Sequence, residues 1–211
     1  MTPVRTRRRV VVALAAFGMV TLASCTPIKA GSAAIVGDQS LSENTLATVA
    51  TEIVDFARAK GVDIPEQSAL NQRVVSLWVG NTLTFALADD LKVRASQANV
   101  DDLLGQLSPD QLTQVTVSSG IAPSQLQDAA RAAVLRGKIA SAVAPSATSQ
   151  NELQAALAKA YLAEAQKLHV SVNPRYGVWN VTTAQVEGRT DLLSQLADPS
   201  SAPGSTPPTG G

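Results

Sequence analysis

The chain has 211 residues, 45% hydrophobic and only 3% aromatic, so it predicts one domain with a core of Ala, Leu, Val and Ile. Its single cysteine excludes an internal disulfide, and its single histidine, His169, excludes most histidine-based metal sites and catalytic pairs. The 17 basic residues balance the 17 acidic ones, but four of the arginines lie in the first nine residues, where there is no acidic residue. Without that segment the net charge is −4 and no basic run is left, which excludes nucleic acid as a partner.

The first 24 residues have the parts of a cleavable signal peptide. A basic segment at residues 5–9 precedes an apolar run at residues 10–23. A membrane-spanning helix needs roughly 20 apolar residues, so this run is too short to be a permanent anchor. The pair Arg7 and Arg8 leaves open whether export is general or twin-arginine.

The signal ends in Leu22, Ala23, Ser24 and Cys25, which match the lipobox of bacterial lipoproteins. The nucleophilic thiol of Cys25 is the group that takes up a diacylglyceryl chain. The small Ala23 and Ser24 allow an extended chain to enter a signal peptidase. The alternative is a chance cysteine after an ordinary secretory signal, but the three parts of the signal agree in order and spacing.

We therefore predict that residues 1–24 are a lipoprotein signal peptide and that residues 25–33 are a lipidated tether. Two or more acyl chains on Cys25, at about 0.8 kcal/mol per buried CH₂, would anchor the chain stably to a membrane. This predicts a location on the outer face of the cytoplasmic membrane or elsewhere in the cell envelope.

After the tether, a short strand at residues 34–36 and a turn at Gly37-Asp38 precede the first helix. Apolar residues at helical spacing predict this helix from about Ser42 to Lys60, before Gly61. Ser40 and Glu43 have the spacing of a capping box, and Ser42 is a competing N-cap.

The periodicity predicts five further helices, at about residues 65–93, 99–104, 108–119, 123–144 and 149–169. Pro65 is expected in the first turn of the second helix, where a missing N–H costs nothing. Gly80 and Asn81 are the place where this helix would kink. Ser149 and Glu152 have capping-box spacing at the start of the last helix.

The alternating residues 170–172 predict a strand that Asn173 and Pro174 end. Residues 198–211 contain only Asp, Pro, Ser, Ala, Gly and Thr, so we predict a disordered Pro/Ser/Thr/Gly tail. The predicted fold is all-α: a compact multi-helix domain over residues 34–197, with a small two-stranded β element joining its N- and C-terminal ends.

The segment Val-Ser-Val-Asn-Pro-Arg-Tyr-Gly-Val-Trp at residues 170–179 resembles the phrase that closes the N-terminal chaperone domain of SurA- and PrsA-type envelope foldases. The resemblance extends over residues 33–179. It implies that this phrase packs as a short strand beside residues 34–38, and that the domain binds unfolded or extended polypeptides. Residues 137–153 leave no room for the inserted parvulin isomerase domain of many members, so isomerase activity is not implied.

The motif that carries this resemblance is Asn173, Pro174, Arg175, Tyr176, Gly177 and Trp179. We expect the Asn-Pro pair to fix a turn and the two aromatic side chains to pack the ends of the domain together. The alternative is that Arg175 and Tyr176 contact a client polypeptide.

Several other residues also have both a functional and a structural interpretation. Trp78 and Phe85, seven residues apart on one helix face, are candidates for an apolar client groove, although core packing is the commoner use of such residues. His169 is expected to interact with carbonyls at a helix end. The adjacent pairs Asp89-Asp90 and Asp101-Asp102 point about 100° apart on a helix, so neither pair can share a site.

The sequence predicts no catalytic residue, metal site, cofactor or small-molecule substrate, and therefore no enzyme. The predicted function is a membrane-anchored, non-enzymatic, chaperone-like lipoprotein that binds unfolded or extended envelope or secreted polypeptides. The alternative is an accessory or scaffold lipoprotein that binds one specific folded envelope partner.

Overall fold

The computed structural model describes residues 30–188, which form six α-helices and five short strands. The helices are α1 (Glu43–Lys60), α2 (Gln67–Asp90), α3 (Gln97–Gly105), α4 (Pro109–Ser119), α5 (Leu126–Val143) and α6 (Gln150–Leu168). The strands are β1 (Ser32–Val36), β2 (Gln39–Ser42), β3 (Ser171–Val172), β4 (Val178–Asn180) and β5 (Gln185–Glu187). The mostly helical class that the periodicity predicts is confirmed.

Side-chain caps set most helix starts. The Ser42 hydroxyl accepts a hydrogen bond from the Thr45 N–H at 3.0 Å, so Ser42, and not Ser40, is the N-cap of α1. Both members of the predicted pair Ser149 and Glu152 bond across the first turn of α6, which confirms that capping box.

The second helix differs from its prediction at both ends. Glu66 is its N-cap, with its carboxylate accepting from the Ser68 N–H, so Pro65 lies before the helix and not in its first turn. The helix ends at Asp90, three residues early, because Lys92 turns into the left-handed region with a φ of 56°. It runs unbroken past Gly80 and Asn81.

Smaller differences occur at two other helices. Helix α3 begins two residues before its predicted start at residue 99. The reason is a capping box between Ser96 and Asn99, which was not predicted. The predicted fifth helix opens with a short 3₁₀ turn at Pro123–Gln125 before α5 begins. Pro145 follows the end of α5, as expected.

The predicted β element joins the two ends of the domain and contains one strand more than expected. Its strand order is β2-β1-β3, all antiparallel, with Ala34 facing Val172. The additional strand is β2, which folds back on β1 through the turn at Gly37 and Asp38. Ser32 and Ala33, which the sequence analysis assigned to the tether, are buried residues of β1. The ordered body therefore begins before residue 34.

A second, two-stranded sheet was not predicted. Strands β4 and β5 form a hairpin in which Trp179 faces Val186, and both side chains pack against the main core. Three-residue strands give too short an alternation for the period-two pattern to be recognised.

Helix α2 is the centre of the molecule. The larger core cluster gathers buried side chains of β1, α1 and α2, among them Leu46, Ile53 and Leu83. A smaller cluster joins Leu87 of α2 to Leu135 and Ile139 of α5. Because α2 supplies both clusters, nine of its 24 residues are buried, and ten others, Trp78 and Phe85 among them, are half-buried.

Candidate functional site

A cleft of about 220 Å³ lies along one side of α2. Its apolar lining is Val74, Leu77, Trp78 and Phe85, which recur at the three- and four-residue spacing of one helix face. Both residues proposed as groove candidates from the sequence therefore line the same cleft. Trp78 packs against the larger core cluster and Phe85 against the smaller one, so the cleft spans the junction between the two.

Both aromatic side chains are half-buried. Each is held by the core on one side and is open to the cleft on the other. From the sequence, core packing and groove lining are alternatives, whereas in the structure each of the two residues packs against the core and lines the cleft. A rigid aromatic side chain fixed in this way offers contact area at a low cost in conformational entropy.

The rest of the cleft is polar. Its polar lining includes Gln39 of β2, Gln125 of the 3₁₀ turn before α5, and Asp128 in the first turn of α5. The Arg136 guanidinium donates to Asn81 Oδ1 at 2.5 Å and so fixes an amide that faces the cleft. This mixture of a few apolar side chains with amides and a carboxylate offers contacts for both apolar and hydrogen-bonding groups of a bound molecule.

The motif at residues 173–179 lies apart from this cleft and joins the ends of the domain. The Asn173 side-chain amide donates to the Ser32 carbonyl and to the Glu43 carboxylate, each at 3.4 Å. The Tyr176 hydroxyl donates to the same carboxylate at 3.3 Å, and burial and the Glu43 charge raise the pKa of Tyr176.

The turn within the motif is built by Asn173. Its side-chain oxygen accepts from the Arg175 N–H at 3.1 Å, and its carbonyl accepts from the Tyr176 N–H at 2.8 Å. Pro174 supplies the fixed φ of such a turn. Tyr176 and Trp179 pack against the main core. The Arg175 guanidinium stands 6.0 Å from the centre of the Tyr176 ring and is exposed.

The acidic pairs are separated as the helix geometry predicts. Asp89 bonds to Arg94 at 2.9 Å, whereas Asp90 bonds to Lys167 of α6. Asp101 accepts from Gln97 on its own helix, and both Asp101 and Asp102 are exposed. His169 is the C-cap of α6, with a φ of 51°.

Sequence reasoning missed a buried carboxyl group at Glu164 of α6. Its side chain is only 5% exposed, its Oε1 has no hydrogen-bond partner, and the nearest cation, Lys167, is 3.6 Å away. Burial and the neighbouring charge of Asp90 raise the pKa of Glu164. The sequence feature that indicates this burial is the position of Glu164, three residues after Tyr161 on the apolar stripe of the predicted helix.

The predicted lipidation site, Cys25, and the lipobox residues Leu22, Ala23 and Ser24 lie outside the described residues, as does the predicted tail at 198–211. Among residues 30–188, no helix is both long and apolar enough to span a membrane. In the same part of the chain, no three side chains of His, Cys, Asp and Glu are grouped as a metal site would require.

Comparisons with known proteins find no match for this chain. No family model, no curated protein and no solved structure is similar to it at a significant level. The resemblance to envelope foldases therefore depends on residues 170–179 and on the order of the predicted elements alone.

Proposed function

We propose that this chain is a membrane-anchored, non-enzymatic, chaperone-like lipoprotein that binds unfolded or extended envelope or secreted polypeptides in the cleft beside α2. The observation that carries the proposal is that Trp78 and Phe85 line one cleft, each with one side held by the core. The lipobox that ends in Cys25 supports anchoring outside the cytosol. The resemblance of residues 170–179 to chaperone domains of envelope foldases supports the choice of clients.

The proposed mechanism is transient shielding. An apolar side chain of a client enters the cleft against Trp78, while Gln39 and Asn81 bond to the client's polar groups. A lipid on Cys25 would hold the cleft where translocated chains emerge, which raises its effective concentration for them.

The test is suppression of aggregation by the chain from residue 25 onward, made soluble by Cys25→Ser. We expect it to delay the aggregation of several chemically unfolded clients at stoichiometric ratio. Asn81→Trp fills the cleft with an indole and should lower this protection about tenfold, because it removes the space that a client side chain would occupy.

The matched control is Gln114→Trp, which places the same side chain at an exposed position of α4 outside the cleft. It should protect as well as the wild type does. Equal protection by both variants would contradict the assignment of the cleft, and no protection by the wild type would contradict the chaperone-like function itself.

A second candidate function is a scaffold that binds one folded envelope partner. The observation in its favour is the exposed apolar surface of the β4–β5 hairpin, where Val178 is 51% and Val181 is 70% exposed. Cross-linking in native membranes separates the two functions, because a scaffold would give one dominant product and a chaperone a spread of clients.

A further inference from the structure

Strand β2 contributes Gln39 to the same cleft, and its outer edge pairs with no strand among residues 30–188. In the sheet order β2-β1-β3, β2 has β1 on one side and, in the part of the chain that the structure describes, no strand on the other. Gln39 of this strand lines the cleft, on the same face as the buried Leu41. The aromatic cleft of α2 and an unpaired sheet edge are thus neighbours.

The register shows which backbone groups of β2 are free. The Asn173 N–H donates to the Ala33 carbonyl at 2.9 Å, so Ala33 bonds toward β3, and in an antiparallel ladder Ala34 then bonds toward β2. Ala34 pairs with Leu41, so the backbone N–H and C=O of Leu41 face β1 and those of the preceding residue, Ser40, face the opposite edge of β2. The N–H and C=O of Ser40 point away from β1, and within residues 30–188 no turn or side-chain bond satisfies these two groups of the exposed Ser40.

Two carboxylates lie beside this edge, while the cation at the cleft, Arg136, is already bonded to Asn81. Asp38 in the turn before β2 and Asp128 across the cleft carry negative charge, and neither belongs to an ion pair within residues 30–188. A basic side chain would be attracted to this position, and an acidic one repelled.

We propose that the occupant of the cleft is an extended polypeptide segment that adds to β2 as a further strand, with a Lys or Arg next to an apolar residue. Its backbone bonds to the N–H and C=O of Ser40, its apolar side chain enters the cleft against Trp78, and its cation lies near Asp38 and Asp128. Main-chain bonding of this kind gives affinity with little dependence on sequence. This inference rests on the proposed function and adds the mode of binding.

The probe is a fluorescein-labelled peptide, Lys-Val-Thr-Val-Thr-Val-Lys, titrated against the chain from residue 25 onward with Cys25→Ser. Ser40→Pro removes one outward N–H and should raise Kd about fivefold, because a net hydrogen bond is worth about 1 kcal/mol. Ser40→Ala keeps the backbone N–H and should bind as the wild type does. Fluorescence anisotropy gives both constants, and thermal melting checks that both variants fold.

A second measurement leaves the protein unchanged. The same peptide, methylated on alternate backbone nitrogens, keeps its side chains and loses the donors of the edge that would face β2, so it should bind at least about fivefold more weakly. Replacing both of its lysines by glutamates should weaken binding as well. Equal affinity for the plain and methylated peptides would overturn strand addition.

The two proposals fail in different ways. If the wild type protects clients from aggregation but binds plain and methylated peptides equally, strand addition is wrong and the chaperone-like function stands. If the wild type neither protects clients nor binds the plain peptide, both are wrong.

Discussion

Glu164 places an ionisable group inside the contact between α2 and α6. The neighbouring contacts in this interface are the Thr84–Tyr161 hydrogen bond at 3.0 Å and the exposed Asp90–Lys167 ion pair. Neither satisfies Oε1 of Glu164. A buried carboxyl group without a hydrogen bond is a cost to folding that is greatest when the group is charged.

This cost should appear as a pH dependence. Because the pKa of Glu164 is raised in the folded state, by burial first and by Asp90 second, the unfolded chain loses its proton at a lower pH than the folded chain does. Stability contributed by the protonated group is therefore full below the ordinary pKa of glutamate and falls as the pH rises through the folded value.

We expect Glu164→Gln to stabilise the protein at pH 7 by about 1 kcal/mol, because the amide keeps the side-chain volume and has no proton to lose as the pH rises. The gain should shrink at pH 4, where the wild-type carboxyl group is protonated. Urea unfolding at the two pH values measures it. Asp101→Gln, at an exposed position, is the control and should show no such difference; a gain at pH 4 equal to that at pH 7 would contradict the explanation.

At the scale of an element, the β4–β5 hairpin depends on Gly177. This residue has a φ of 148°, and a Cβ added there would lie 2.6 Å from Cγ1 of Val186 and 2.9 Å from the Glu187 carbonyl oxygen. Both contacts are too short for real atoms, and the latter is with backbone, which cannot move without breaking the ladder of the hairpin.

Gly177→Ala should therefore destabilise the protein by about 1–3 kcal/mol, through backbone strain and displacement of the hairpin. The control is Gly137→Ala in the interior of α5, where a Cβ meets nothing within 4 Å. That change should stabilise by up to about 1 kcal/mol, because alanine is the better helix former. Thermal melting compares the two, and equal melting temperatures would contradict the role given to Gly177.

The elements that could be predicted are those with a local physical signal. Long apolar periodicity and a capping serine located α1 and α6 closely, because the residues that decide their ends lie within a few positions of them. The end of α2 and the β4–β5 hairpin could not be predicted, since the first depends on one left-handed residue, Lys92, and the second on contacts with distant core residues.

The candidate site was predicted in part for the same reason. Trp78 and Phe85 could be placed on one face of a helix from their spacing alone. The polar side of the cleft could not, because Gln39 and Asp128 are brought to α2 by the sheet and by the packing of α5.

At the scale of the whole molecule, the proposal requires that Cys25 attach the body to a membrane. We expect Cys25→Ser to move the protein from the membrane fraction to the soluble fraction, because a polypeptide without acyl chains has no comparable affinity for a bilayer. Immunoblotting of fractionated cells measures this, and mass spectrometry of the wild type should show a chain that begins at Cys25 and carries lipid. An unmodified thiol on a chain that keeps its basic N-terminal segment would refute the anchoring.

The central place of β1 in its sheet has a mechanical consequence. Strand β1 begins at Ser32, close to the first described residue, and it is bonded to β2 on one side and to β3 on the other. Because the bonds of antiparallel ladders lie across the strands, a pull from a membrane anchor would act along β1 and shear both ladders at once. Several hydrogen bonds would have to break together, so the domain should resist unfolding from its anchored end when a bound client is pulled away from it.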